Sequence, residues 1–146
     1  MHGAIKIAIA EDHGEYRDLL VGVFLKYRFT VLADSASEPC FINLLNENNL
    51  PDIVVAGCST LHPQNAALVM ELKRRYPGVK ILVTALFNHY LPVKELAGAN
   101  IEGCVTKQDI GPRLIVKAAA ELYRGRRFFH NVDAYFTQAS LYVILQ

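Results

Sequence analysis

Four short apolar runs in this chain end in residues that could share one pocket. Ile5–Ala10 ends in the acid pair Glu11-Asp12, Ile81–Val83 in the hydroxyl of Thr84, and Cys104–Thr106 in the amine of Lys107. Acid, hydroxyl and amine, brought together, are the equipment of a chemical step. The fourth run, Ile53–Ala56, ends in Gly57, where such a pocket wants a third carboxylate. That gap decides whether the chain performs chemistry or only keeps the shape of proteins that do.

The runs need a frame to hold their ends together, and the pattern between them supplies one. Ile5–Ala10 reads as a buried strand, and Tyr16–Tyr27 carries Leu19, Leu20, Val23 and Phe24 at helical spacing. Phe29–Ala33 is rich in strand formers. Ser37 is the expected cap of a helix running to about Asn46, with Pro39 in its first turn and Phe41, Leu44 and Leu45 facing in. Ile53–Ala56 is a strand opened by Pro51-Asp52. Ala66–Tyr76 is a helix stopped by Pro77-Gly78, and Lys80–Thr84 is a strand. Pro92–Ala99 is a short helix and Glu102–Thr106 the fifth strand. Gly111–Arg124 is a helix with Leu114, Ile115, Ala118 and Leu122 inward, stopped at Gly125. Five strand–helix units with continuously apolar strands predict an α/β fold, a doubly wound five-stranded parallel sheet covered on both faces. In such sheets ligands bind beyond the carboxyl ends of the strands, which is where the polar residues fall.

The bulk numbers agree with a single domain. The chain has 146 residues, 52% of them hydrophobic and 20% charged, with a net charge of +1. It is long enough for one core, and no bulk charge draws it to nucleic acid or anionic membrane. Cys40, Cys58 and Cys104 form no C-x-x-C pair, which suits a reducing compartment. No signal-peptide pattern or membrane-length apolar run is evident, so a cytoplasmic location is expected.

These residues, in this order, resemble the receiver domain of bacterial two-component response regulators, especially those of DNA-binding regulators of the LuxR type. "IAEDH" after the first strand is similar to the family's acidic motif, "ILVTA" to its strand-four hydroxyl segment, "GCVTKQ" to its strand-five lysine segment, and "RGRRFF" to the segment where such receivers end. The resemblance covers roughly residues 5 to 127. It implies a flavodoxin-like (βα)5 sandwich with strand order 2-1-3-4-5, a receiver-like domain over 1–127, and 128–146 as a C-terminal helical tail or truncated linker. It also implies a pocket of Glu11, Asp12, Thr84 and Lys107, with Glu11 and Asp12 as Mg²⁺ ligands.

The departures from the family are concentrated. "PDIVVAG" puts Gly57 where receivers carry the aspartate that accepts phosphate, and no Asp or Glu lies between Asp52 and Glu71 to replace it. Asp52 belongs at the opposite end of the strand. The loop "CSTLHPQNA" lacks the family's Pro-Gly pattern, and the aromatic switch position is Cys104. An acyl phosphate forms when a carboxylate attacks in line, with Mg²⁺, a lysine and a hydroxyl balancing the charge. Glycine has no side chain to attack with. Loss of the third carboxylate also lowers repulsion in the pocket and metal affinity together, so Mg²⁺ binding of millimolar strength or weaker is expected and no cofactor is required.

Each polar residue also has a plain structural role open to it. Glu11-Asp12 suit a helix N-terminus, Lys107 suits a salt bridge to them, Thr84 can satisfy backbone, and Cys58 and Cys104 can be small core residues. His13, His62 and Cys58 near the acids form an outside candidate for a transition-metal site, and Ser59, Thr60 or His62 for a substitute phosphoacceptor. The expected role is a non-enzymatic, phosphorylation-independent pseudo-receiver in two-component or phosphorelay signalling. It would bind a signalling partner or a second copy through Pro92–Arg124, the family's face of fourth helix, fifth strand and fifth helix, or through the tail. The tail, Asn131–Gln146, puts Val132, Tyr135, Phe136, Ala139, Tyr142 and Val143 on one helical stripe. The alternative is a small-ligand or anion sensor that uses the emptied pocket. Nucleic-acid binding by this chain is not expected.

Overall fold

Alternate residues of each strand point to opposite faces of the sheet, and here both sets are apolar. A computed structural model describes residues 3–36, 40–58, 64–85, 96, 99–106 and 111–130. Six strands, β1 (Lys6–Ala10), β2 (Thr30–Ser35), β3 (Ile53–Gly57), β4 (Lys80–Ala85), β5 (Gly103–Thr106) and β6 (Phe128–His130), form one sheet in the order β2-β1-β3-β4-β5-β6. Every pairing is parallel. The described helices are α1 (Gly14–Lys26), α2 (Cys40–Leu44), α3 (Gln64–Arg75) and α4 (Pro112–Tyr123).

The helices divide between the two faces. Ala8, Ala10, Val54, Ala56, Ile81, Val83 and Cys104 pack with Phe41 of α2 and with Leu68, Val69 and Leu72 of α3. Ile7, Ile9, Ile53, Val55, Leu82 and Val105 pack with Leu20 and Phe24 of α1 and with Ile115, Ala118, Ala119 and Leu122 of α4. The expected doubly wound parallel sheet is therefore present, with its 2-1-3-4-5 order intact. Of the expected helix Pro92–Ala99 only Leu96 and Ala99 are described, and both are buried in the core. Two expected core positions differ: Leu19 and Leu44 are about half exposed, at 49% and 52%. Leu20 and Phe24 already fill α1's side of the core, and at α2 the core is filled by Phe41 with Ile42 and Leu45 packed against it.

Helix ends are set by local chemistry. The His13 ring nitrogen Nδ1 accepts from the Tyr16 amide (3.1 Å) and caps α1. At the other end Arg28 adopts φ 67°, so that its amide reaches Leu25 O and the Phe29 amide reaches Phe24 O. The Phe24 and Phe29 rings then meet edge to face at 5.0 Å. Helix α4 closes in the same way, with Gly125 at φ 84° and the Arg126 amide on Glu121 O.

That second turn sends the chain back into the sheet. Phe128–His130, at the start of the segment assigned by sequence to a tail or linker, pair in parallel with Gly103–Val105. The sheet thus reaches three residues past position 127 and gains a sixth strand on the outer edge of β5. Residues 131–146 lie outside the described residues. The added strand needs Gly103: a Cβ there would stand 2.7 Å from Phe128 O, 3.1 Å from Leu82 Cδ1 and 3.2 Å from Leu122 Cδ2. At the amino ends of the strands, Lys73 of α3 donates to the Glu102 carboxylate and to Val79 O, while Glu102 accepts from the Ile81 amide. This ion pair ties α3 to the approach to β5. Replacing Gly103 by Ala is expected to lower stability by about 1–3 kcal/mol, since backbone is the obstacle and cannot swing away. Urea unfolding of the variant against the wild type checks this.

Candidate functional site

The strand register gathers the site. Ala10 pairs with Ala56, so Glu11 follows β1 beside Gly57, and Gly57 pairs with Thr84. Strand alternation turns positions 57 and 84 to the same face as Val55 and Leu82, the face of α1 and α4. Three of the residues picked out by sequence are thus neighbours at the carboxyl edge. Lys107 lies outside the described residues, as do Ser59, Thr60 and His62. Asp52 is at the amino end of β3, where its Oδ2 accepts from the Lys6 amide at 2.8 Å. It is an anchor between β1 and β3 and far from the site.

The two acids behave differently. Asp12 is exposed, whereas Glu11 is buried at 4% exposure. The Glu11 amide donates to Ser35 O, its carbonyl accepts from Arg17 Nη1 (2.9 Å), and Oε2 accepts from the His13 amide (3.2 Å). Its carboxylate lies directly over Gly57. A Cβ built on Gly57 would meet Glu11 Oε1 at 2.6 Å and both Cδ and Oε2 at 2.8 Å. The space that an acceptor side chain would leave by is therefore filled from the neighbouring strand.

Thr84 is fully buried, and its Oγ1 has no hydrogen-bond partner among the described residues. A buried hydroxyl without a partner costs about 1–3 kcal/mol. Tyr16, which sequence reasoning did not single out, joins the site from the first turn of α1. Burial, and then the Glu11 charge beside it, push its phenol well above the ordinary range. Arg17 was also missed, though its guanidinium holds the Glu11 carbonyl and approaches Asp34 at 3.7 Å. Both follow the cap His13 by three and four residues, the spacing that folds a helix's first turn back over the strand it leaves.

Cys104 and Cys58 sit on the other side of the sheet. Both are buried in the α2–α3 core, and burial, followed by the nearby Cys58, pushes the Cys104 thiol well up. A thiol held protonated this way is a small core residue. Among the described residues no group of three His, Cys, Asp or Glu side chains converges as a metal site. Of the two expected Mg²⁺ ligands, one carboxylate is turned in over Gly57 and the other stands in solvent, a poor start for an octahedral oxygen shell.

No protein-family model matches the chain, and no curated protein matches it. Solved structures do. The isolated REC domain of RcsB from Salmonella enterica serovar Typhimurium is 21% identical, with a TM-score of 0.76 over 92% of this chain and 98% of that one. A two-component response regulator of the LuxR family from Aurantimonas sp. SI85-9A1 is 21% identical, with a TM-score of 0.69 over 99% and 100%. A structure of two RcsB dimers bound to two parallel DNAs gives 21% identity and a TM-score of 0.73 over 94% and 68%. The chain spans 66% of the RcsB response regulator of Salmonella typhimurium. Among the described residues no helix is long and apolar enough to cross a membrane. The sheet order, the two-sided helical cover and these likenesses agree: the chain has the receiver fold of response regulators.

Proposed function

We propose that this chain is a pseudo-receiver: a receiver-shaped module of two-component or phosphorelay signalling that takes no phosphate at position 57 and acts by binding another protein. One observation carries the reading. Gly57 has no nucleophile, and the Glu11 carboxylate occupies the space from which one would extend. A receiver's pocket must gather a metal, a phosphoryl group and an attacking carboxylate. Here Glu11, half of the metal-binding pair implied by the receiver resemblance, is folded over the missing acceptor instead. The module is non-catalytic, requires no cofactor, and binds Mg²⁺ with millimolar strength or weaker. The cytoplasm suits cysteines that form no C-x-x-C pair.

A small-anion sensor is the second reading. The fully buried Thr84 hydroxyl, without a hydrogen-bond partner among the described residues, favours it, because such a group can accept a ligand. The Glu11 carboxylate at the same edge opposes it by like-charge repulsion. A thermal-shift screen of small anions separates the two: no stabilisation is expected, and a saturable rise with one anion would favour the sensor.

Incubation with a small-molecule phosphodonor and Mg²⁺ is expected to leave the protein unlabelled by intact mass. Stable, Mg²⁺-dependent addition of one phosphoryl group would overturn the pseudo-receiver reading. Replacing Gly57 by Asp is expected to cost about 1–3 kcal/mol of stability in urea unfolding, since the new Cβ displaces Glu11 and sets two carboxylates side by side. The same variant is expected to label poorly until Glu11 is shortened as well.

A further inference from the structure

The amino ends of β3 and β4 border a recess of about 540 Å³, on the edge of the sheet opposite Glu11, Gly57 and Thr84. Small-molecule sites commonly enclose about 300–1,000 Å³, so the recess is large enough for one. Three segments wall it: Leu50–Asp52 ahead of β3, Arg75–Lys80 between α3 and β4, and Tyr123 at the end of α4.

Backbone hydrogen bonds fix the shape of these walls. Pro77 and Gly78 lie within a turn closed by the Val79 amide on Tyr76 O at 3.0 Å, and Pro77 takes the turn position that suits its preset φ. The Lys80 amide donates to Asp52 O (3.1 Å) and the Asp52 amide to Lys6 O (2.8 Å). The Lys6 amide in turn holds Asp52 Oδ2. A ligand that enters such a recess orders little of the chain, which favours binding.

The chemistry of the walls selects the ligand. Tyr76 and Tyr123 supply aromatic rings, and Tyr123 is 39% exposed. Rings of this kind attract another flat ring. Lys80 and Arg75 supply positive charge. Lys80 Nζ donates to Leu122 O at 2.6 Å, which uses one of its three protons, and among the described residues it has no ion pair. Both oxygens of Glu71 accept from the Arg74 fork, so Arg75 approaches Glu71 only through Nε at 3.5 Å. Its Nη groups are left for another anion. Asp52 is the acid of the lining, and its charge offsets one of the two cations. A monoanion is therefore favoured over a dianion.

We propose that this recess is a binding site for a small aromatic carboxylate, whose ring lies against Tyr76 and Tyr123 and whose carboxylate meets Lys80 and Arg75. Two aromatic walls beside two cations suit a ligand that is flat at one end and singly charged at the other. The site stands at the opposite edge of the sheet from position 57, so it goes beyond the pseudo-receiver reading and does not depend on the absence of phosphorylation.

Titration of the nitrogen-labelled full chain with cinnamate, followed by amide NMR shifts, is the test. Saturable shifts of sub-millimolar affinity are expected, largest at Gly78, Lys80 and Tyr123. Cinnamyl alcohol, which keeps the ring without the charge, and acetate, which keeps the charge without the ring, are each expected to bind about tenfold more weakly or not at all. Phenyl phosphate, a dianion facing Asp52, is expected to bind more weakly than cinnamate. Arg75→Gln is expected to weaken cinnamate about tenfold and Tyr123→Leu about fivefold. Both side chains stand at the surface, so these variants keep the fold even where loss of Lys80 from Leu122 O disturbs it. No saturable shift at millimolar cinnamate would overturn the proposal, as would shifts largest at Gly57 and Thr84. Equal binding of cinnamyl alcohol, tighter binding of phenyl phosphate, or wild-type affinity in both variants would do the same. Phosphodonor labelling is a separate readout, so this proposal and the pseudo-receiver reading fail independently.

Discussion

A parallel sheet covered by helices on both faces has no tolerance for polar side chains along its strands. Ile7–Ala10 of β1, Ile53–Ala56 of β3 and Ile81–Val83 of β4 are at most 1% exposed and uniformly apolar. Burial on that scale is the dominant favourable term of the fold, and an unpaired polar group within it would offset much of what a neighbouring side chain contributes. Polar residues are accordingly driven to the strand ends. The amino ends carry structural ties, Asp52 to the Lys6 amide and Lys73 to Glu102. The carboxyl ends carry Glu11, Gly57 and Thr84 in adjacent register. The position of the candidate site is thus a consequence of how the core is covered.

Within that edge, the balance of the site turns on one missing side chain. With no Cβ at position 57, Glu11 can lie flat over the backbone of β3 and take the His13 amide as a donor. Burial, and then this carboxylate, raise the affinity of the Tyr16 phenol for its proton. The space above Gly57 is therefore taken up by the Glu11 carboxylate.

A second glycine works differently. Gly103 lets Phe128 O and the α4 side chain of Leu122 approach β5 closely, and so makes room for β6 at the sheet's edge. The edge of β5 that the receiver resemblance would leave open is covered by this strand. Arg127 lies over the Phe129 ring at 4.9 Å on the same segment.

Much of this was legible beforehand. Apolar runs of strand length separated by helical periodicity, with Pro-Gly and Gly stops, are local signals, and they identified the layers, five of the strands and the strand ends at which Glu11, Gly57 and Thr84 sit, while the strand order came from the family resemblance. The absence of a carboxylate between Asp52 and Glu71 is likewise a fact of sequence alone. The tertiary structure decided three other things. It turned Glu11 inward over Gly57 while leaving Asp12 in solvent, left Leu19 and Leu44 outside the core, and folded Phe128–His130 into the sheet. These depend on which atoms from distant segments compete for the same space: a neighbouring carboxylate against an absent Cβ, Phe24 against Leu19, a backbone oxygen against Gly103. Periodicity along the chain specifies which residues share a face, whereas the occupancy of a given volume is settled only when the faces meet.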